Sequence, residues 1–435
     1  MAMPTAVDAA AAVRSGHVTS EALVRQCFAA IHRHNAALNA FVHLDQSSAI
    51  EAARKVDALR AAEGPDALGP LAGVPFGVKD LEDCTGMPTT RGSRWFANGP
   101  PAVMDEIHVA RLRAAGAIPI GKTAAPEFGA WAYTASPLLG VTRNPWNVSR
   151  TPGGSSGGSS AAVAAGLVPF CTASDGGGSI RTPAAFTGLV GLKCTYGRIP
   201  TFGATHLAQN SVVGCLTTTV ADTALLLDVM AGPDARDRTC LPAPQRRYAE
   251  VAQQLNPSGL RVAWSVDLGI AVMDPEVAVL CEQAAMAFID AVDGVRVNSP
   301  IAVDDYIGTY VHMEGVDQFV GIDPHLWQHR LQDLDPLLVP GWAKAPQVTL
   351  PKAARVEEAR RRLVHQIATQ LAEIDLLLTP MVAMPAFAAE GPMPTKIAGQ
   401  SVHAGMSVIH GMLANLVNLP AISLPAGLTR SGLPV

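Results

Sequence analysis

Paired cysteines, metal-ligand clusters, long apolar runs and an excess of positive charge are all missing from this 435-residue chain. Its seven cysteines, Cys27, Cys84, Cys171, Cys194, Cys215, Cys240 and Cys281, are odd in number, scattered, and form no CxxC pair. That pattern argues for isolated buried thiols in a reducing compartment, not for a disulfide framework. The twelve histidines contain no HExxH. His32-Arg33-His34 comes nearest to a ligand pair and falls in a helical pattern, so neither a metal nor another cofactor is expected. No stretch of eighteen uninterrupted apolar residues occurs, and Met1–Ser20 lacks a basic segment ahead of an apolar run. A membrane span and a signal peptide are therefore not expected, and the expected address is cytoplasmic. With 32 basic and 37 acidic side chains the net charge is −5, which argues against nucleic acid or an anionic membrane as partner. Aromatics are only 5% of the chain, too few for single-strand stacking platforms.

What is present is apolar: 49% hydrophobic against 16% charged residues, enough to bury a large core. Residues 5–60 read as helical, with Leu23, Val24, Cys27, Phe28 and Ile31 forming one apolar face. From Leu68 short β-like runs broken by Gly and Pro take over, such as Gly73–Val78 and Ala117–Gly121, with Val109–Ala115 helical between them. Strand and helix then alternate to about Met230, the pattern of an α/β sheet. Gly232–Pro257 reads as a surface loop, and Arg261 to about Arg362 as more irregular chain. Ile374–Pro380 reads as a buried strand returning to the sheet. No internal repeat appears.

The glycine-serine stretch Thr151–Ser160 is not a linker, because it runs straight into the apolar, helix-like Ala161–Leu167. Glycines before a helix let the backbone approach a ligand closely, and this stretch lacks the GK[ST] ending of a phosphate-binding loop. A second cluster, Ser174-Asp175-Gly176-Gly177-Gly178-Ser179-Ile180-Arg181, can turn several amides toward one point with a hydroxyl at its mouth. An oxyanion hole needs that arrangement, although a surface glycine turn is the plainer alternative for this segment alone. A nucleophilic serine needs a base. No histidine stands in a triad-like motif. Lys79 ends the apolar run Val74–Val78, where burial favours the neutral amine that can accept a proton.

Gly73–Asp80, Gly153–Ser160 and Asp175–Arg181 together resemble the amidase signature family. Ser155 follows Lys79 by 76 residues and Ser179 follows Ser155 by 24, spacings that fit the family's Ser–Ser–Lys triad. Gly121-Lys122-Thr123, Glu127-Phe128, Thr142–Trp146, Gly188–Lys193 and Asn418–Gly427 are similar too. The resemblance spans nearly the whole chain except roughly residues 235–365. It implies an α/β fold with a central twisted mixed β-sheet flanked by helices on both faces. It also implies one amidase domain over 1–435: an N-terminal helical segment 1–60, a core of 60–235 plus 365–435, and a variable lid or substrate region 235–365. Ser179 would be the nucleophile, Ser155 the proton relay beside a cis peptide, and Lys79 the base. Amides of Gly176, Gly177, Gly178 and Ser179 would hold the oxyanion. Asp175 and Arg181 would brace the glycine loop, and Ser156 would be a hydrogen-bond partner of Lys79. Gly176, Cys194 and Asn418 depart from the family's usual residues and bear on substrate preference. At Gly432–Val435 the resemblance leads to the expectation of a further glycine-glutamine strand and a last helix.

The reaction so implied is hydrolysis of amide-type C–N bonds through an acyl-enzyme, by a monomer or homodimer acting on a small amide or carbamate. Aryl or acyl amides are expected as substrates, with carbamates (urethanes) and esters left open. Tyr306, Tyr310, His312, Met313, Phe319, Trp327 and Trp342 could form an apolar lid or simply fill the core. One alternative is an amidotransferase-type subunit working with partner chains. Against it, Ile199–Thr205 replaces that branch's Ser-Arg-rich run after Tyr196-Gly197-Arg198. A catalytically silent scaffold is countered by the intact Lys79, Ser155 and Ser179, since buried polar groups are costly to keep without use. A cysteine hydrolase built on Cys171 lacks a His/Asn partner set.

Overall fold

The computed structural model describes residues 3–202, 209–297, 301–317, 319 and 322–435. Gly203–Thr205, which carry part of the contrast with amidotransferase subunits, lie outside the described residues. Seven strands build the central sheet: β1 (Phe41–Leu44), β2 (Pro75–Lys79), β3 (Ile118–Thr123), β4 (Phe170–Asp175), β5 (Val190–Lys193), β6 (Val212–Thr217) and, near the end, β10 (Ala421–Ser423). Their order is β1-β3-β2-β4-β6-β5-β10. β2 runs parallel to both neighbours, β3 and β4, and every other pairing is antiparallel. The sheet is therefore mixed, as expected, with its parallel part in the middle.

The period-two alternation of the strands feeds two cores, one on each face. Phe76 and Val78 of β2 join Phe170 and Cys215 on one face, under Ala9 and Val13 of the Ala6–Ser15 helix and Val109 and Leu112 of the Ile107–Ala114 helix. Ile118, Ile120, Cys171 and Leu216 form the other, under Cys27, Phe28 and Ile31 of the Ser20–Leu38 helix and Ala161 and Ala162 of the Gly157–Ala164 helix. Phe76 and Phe170 stack at 5.0 Å between ring centroids, which pins β2 to β4 directly below the site.

Several expectations from sequence need correction. Residues 5–60 are not all helical. Asn39 adopts a left-handed conformation (φ 51°) that ends the Ser20–Leu38 helix, and the Asn35 side chain takes the amides of Ala40 and Phe41, so Phe41–Leu44 emerges as β1 on the edge of the sheet. Gly232–Pro257 is not all loop, because the Asp228 carboxylate accepts from the amides of Tyr248 and Ala249 and so starts the Tyr248–Gln254 helix. The 261–362 segment is more regular than its composition implied, with helices at Pro275–Ala291 and Leu350–Gln370. Ile374–Pro380 is not part of the central sheet, and while Ile374 and Pro380 are buried, the strand between them is not. Its strand β9 (Leu376–Leu378) pairs in parallel with β7 (Arg261–Trp264), which also pairs with β8 (Val295–Val297), in a separate three-stranded sheet. No helix of the described residues is long and apolar enough to cross a membrane.

Candidate active site

Lys79 ends β2, and Ser174 and Asp175 end the neighbouring β4. Ser155 and Ser156 precede the Gly157–Ala164 helix, while Ser179 lies between β4 and the Arg181–Thr187 helix. All of them gather beyond the carboxyl ends of parallel strands, where α/β sheets place their ligand sites. The Ser156 amide donates to the Ser179 carbonyl at 3.3 Å, so the two glycine loops touch. The Gly154–Ser155 peptide is cis, as the resemblance implied.

Lys79 is fully buried, and its Nζ donates to Ser155 Oγ at 2.8 Å and to Ser174 Oγ at 2.9 Å. Burial lowers its pKa from 10.5 to about 8, against the raising influence of the Glu82 and Asp175 carboxylates. Ser156 does not bond Lys79 as expected. Its hydroxyl donates instead to the Ser174 carbonyl at 3.3 Å, and the second acceptor for the lysine is Ser174, to which the sequence motifs assign no role. Thr172 and Ser174 alternate with the apolar Cys171 and Ala173 along the strand, and that polar period of two is the local signal for Ser174.

Asp175 braces the second loop. Its carboxylate accepts from Arg181 Nε and Nη2, both at 2.9 Å, from the Gly178 amide at 2.7 Å and from the Ile180 amide at 3.2 Å. Burial pushes its carboxyl up, but the Arg181 charge and hydrogen bonds, with Lys193 and the Gly178 amide, bring it down to about 2. Arg181 Nη2 also donates to the Gly411 carbonyl and Asn415 Oδ1, and Asn415 in turn donates to the Asp175 and Asn210 carbonyls. Asn415, from the Ile409–Leu416 helix near the end of the chain, thus locks a loop 240 residues away. Its contribution has no local sequence signal.

The commitment of the Gly178 amide to Asp175 takes it out of the expected oxyanion set. Among the described residues no protein acceptor takes the amides of Gly176, Gly177 and Ser179, so these are the uncommitted donors of the loop. Gly178 sits at φ +116°, a conformation that favours glycine. Gly177 is needed for space: a Cβ there would lie 2.0 Å from Tyr310 Oη. Tyr310 belongs to the Ile307–Asp317 helix, which therefore packs directly on the second glycine loop. Among the other proposed lid residues, Tyr306 and Met313 fill a core cluster, while His312 Nδ1 pairs with the Gly308 carbonyl. Phe319, Trp327 and Trp342 join Trp95 and Phe128 in an aromatic group, with Trp342 4.6 Å from Phe319 and 5.2 Å from Phe128. The next residue, Gly129, lies against Ser155. Cys171 is buried inside the second core, and burial pushes its thiol up. His32 and His34 are exposed on their helix, and no group of metal-ligating side chains occurs among the described residues.

Fold and site together set the Ser155 hydroxyl of one glycine loop against a buried lysine at the end of a strand of an α/β sheet. The Amidase family model matches residues 22–435, so this chain belongs to the amidase family and is an amide hydrolase. It is 35% identical to an acylamidase of Rhodococcus erythropolis over 99% of this chain and 90% of that protein. It is 33% identical to a glutamyl-tRNA(Gln) amidotransferase subunit from Nitratidesulfovibrio vulgaris, over 96% and 89%. The solved structure of a bacterial aryl acylamidase of the amidase signature family superposes with a TM-score of 0.90 at 25% identity, covering 100% of this chain and 91% of that one.

Proposed function

We propose that the chain is a serine hydrolase of small aryl or acyl amides, with Ser179 as nucleophile, Ser155 as relay and Lys79 as base. The contact between Lys79 Nζ and Ser155 Oγ at 2.8 Å, inside a site that lowers the lysine's pKa, carries this reading. Neutral Lys79 takes the Ser155 hydroxyl proton as Ser155 takes that of Ser179. Ser179 Oγ then bonds the carbonyl carbon, and the carbonyl oxygen becomes an oxyanion facing the amides of Gly176, Gly177 and Ser179. Lys79 gives its proton back to Ser155 as Ser155 protonates the nitrogen, the C–N bond breaks and the amine leaves. Water attacks the acyl-enzyme by the same route in reverse. The aromatic group reaching Ser155 through Phe128 and Gly129 favours aryl substrates. Carbamates and esters present the same carbonyl to the same groups and belong to the proposed range.

The 33% identity to an amidotransferase chain supports a second reading, action on glutamine with partner chains. One experiment separates the two: hydrolysis of a matched anilide, carbamate and ester sharing one aryl group, by the lone wild-type chain and by Ser179→Ala. Anilide turnover lost in the variant is expected. Ester turnover alone would make the chain an esterase on this scaffold, and no turnover without added partners would favour the amidotransferase reading.

A further inference from the structure

One buried acid beside the site has no part in the steps above. Glu82 lies a turn beyond Lys79, its amide donating to the Lys79 carbonyl at 3.0 Å, and its side chain is buried. Glu82 Oε2 meets Nε2 of the fully buried His108 at 3.1 Å, while Oε1 has no hydrogen-bond partner among the described residues. Thr172 connects this pair to the base. Its hydroxyl oxygen accepts the Lys79 amide at 3.0 Å, and the same hydroxyl helps to hold Glu82 ionised. Burial raises the Glu82 carboxyl, but His108 first, then Thr172 and Lys79, bring it below its ordinary range.

We propose that Glu82 is a positioning residue for the reaction: its carboxylate, held by His108, stabilises the ammonium that Lys79 becomes when it takes up the proton released from Ser179. The proposal rests on Lys79 being the base. As Ser179 Oγ forms its bond to the carbonyl carbon, the carbonyl π electrons move to oxygen and the displaced proton ends on Lys79 Nζ through Ser155. A positive charge then appears in a site stripped of water, where a fixed carboxylate counts for far more than in solvent.

The other charges in the neighbourhood leave this task to Glu82. Asp175 also acts on Lys79, but its two oxygens are engaged by Arg181. Lys122 Nζ donates to the Glu82 main-chain carbonyl and to Thr89, and its ammonium lies 3.9 Å from Asp80. Asp80 is held in turn by Thr90. Glu106 and Asp83 face the His108 side of the pair, and both are acidic, so neither offsets the Glu82 charge. Glu82 is the carboxylate here with an oxygen that no donor satisfies.

The test is the pH dependence of kcat/KM, and of Ser179 labelling by a serine-reactive fluorophosphonate, in the full chain carrying Glu82→Gln. Loss of the carboxylate is expected to move the acid limb about one unit lower, a gain of about tenfold in relative activity on the limb, while the high-pH plateau falls. A purely structural role would lower the rate at every pH and leave the midpoint in place. Because Gln beside His108 leaves the imidazole poorly matched, the double variant E82L/H108L serves as the second arm, since well-packed apolar residues commonly replace a buried hydrogen-bonded polar pair without loss of fold. It is expected to show the same downward shift. A midpoint unchanged or raised in either folded variant, by rate or by labelling, overturns the proposal. A wild-type chain with no acid limb would instead overturn Lys79 as base, so the two failures are distinguishable.

Discussion

At pH 7 an ordinary lysine with a pKa of 10.5 is neutral in only about one molecule in 3,000, whereas Lys79 at about 8 is neutral in about one in eleven. Burial therefore raises the working fraction of the base by roughly 300-fold at that pH, and this gain has a measurable signature. For an anilide substrate, kcat/KM should rise about tenfold per unit below pH 8, reach half its limit near 8 and level off about a unit and a half higher. The sign follows from the titration: acid protonates Lys79, and an ammonium cannot accept the Ser155 proton. Initial rates at constant ionic strength between about pH 6 and 9.5 measure the limb. The variant Lys79→Met should lose about 10²–10⁴ of the rate and the acid limb with it. A flat profile across that range, a midpoint near 10.5, or an unchanged limb in Lys79→Met would refute the reasoning.

Other outcomes follow from the same contacts. Asp175→Asn removes the charge that Arg181 and the Gly178 amide are built around, and is expected to cost about 3–5 kcal/mol, read as a lower urea midpoint. In the wild type, the Asp175 carboxyl is lower folded than unfolded. Its contribution is thus fully present above about pH 4 and lost as the pH falls through about 2, which acid titration of the fold would check. Gly177→Ala should abolish anilide turnover because its methyl meets Tyr310, whereas Gly176→Ala, with Glu314 Oε1 at 3.4 Å as its nearest neighbour, should retain most of it. Parallel kinetics on the two variants decide this. Ser174→Ala takes one acceptor from Lys79 but leaves Ser155 in place, so its rate loss should be well below that of Lys79→Met in the same assay.

The difference between what could be read early and what could not is clearest at the lysines. An apolar run ending in lysine drew attention to Lys79, yet Lys122 and Lys193 are buried as completely, and burial lowers the pKa of all three. Lys122 donates to the Glu82 carbonyl and Lys193 to the carbonyls of Cys194 and Leu419. Only Lys79 meets a serine of the glycine loops, and it does so across 76 residues. The same limit explains Ser156 and Ser174: both are serines in the right motifs, and only the crossing of the loops shows which one faces the ammonium. The strand β9 misled because Leu376–Leu378 has the apolar look of a buried strand, although Leu376 is exposed in a small separate sheet.

From the sequence alone came the alternation of strand and helix, the two glycine loops with their serines, and a lysine ending an apolar run. Those features are local: side-chain periodicity, the conformational freedom of glycine and the cost of a lysine in an apolar run act over a few residues. Tertiary structure alone decided which amides of the second glycine loop stay uncommitted, that Tyr310 caps Gly177, that Asn415 locks the Asp175–Arg181 pair, and that the Glu82–His108 pair lies a turn beyond Lys79. Each of these depends on distant segments meeting in the packed state, where a hydrogen bond or a charge acts on whatever the fold brings within a few ångströms, however far apart along the chain.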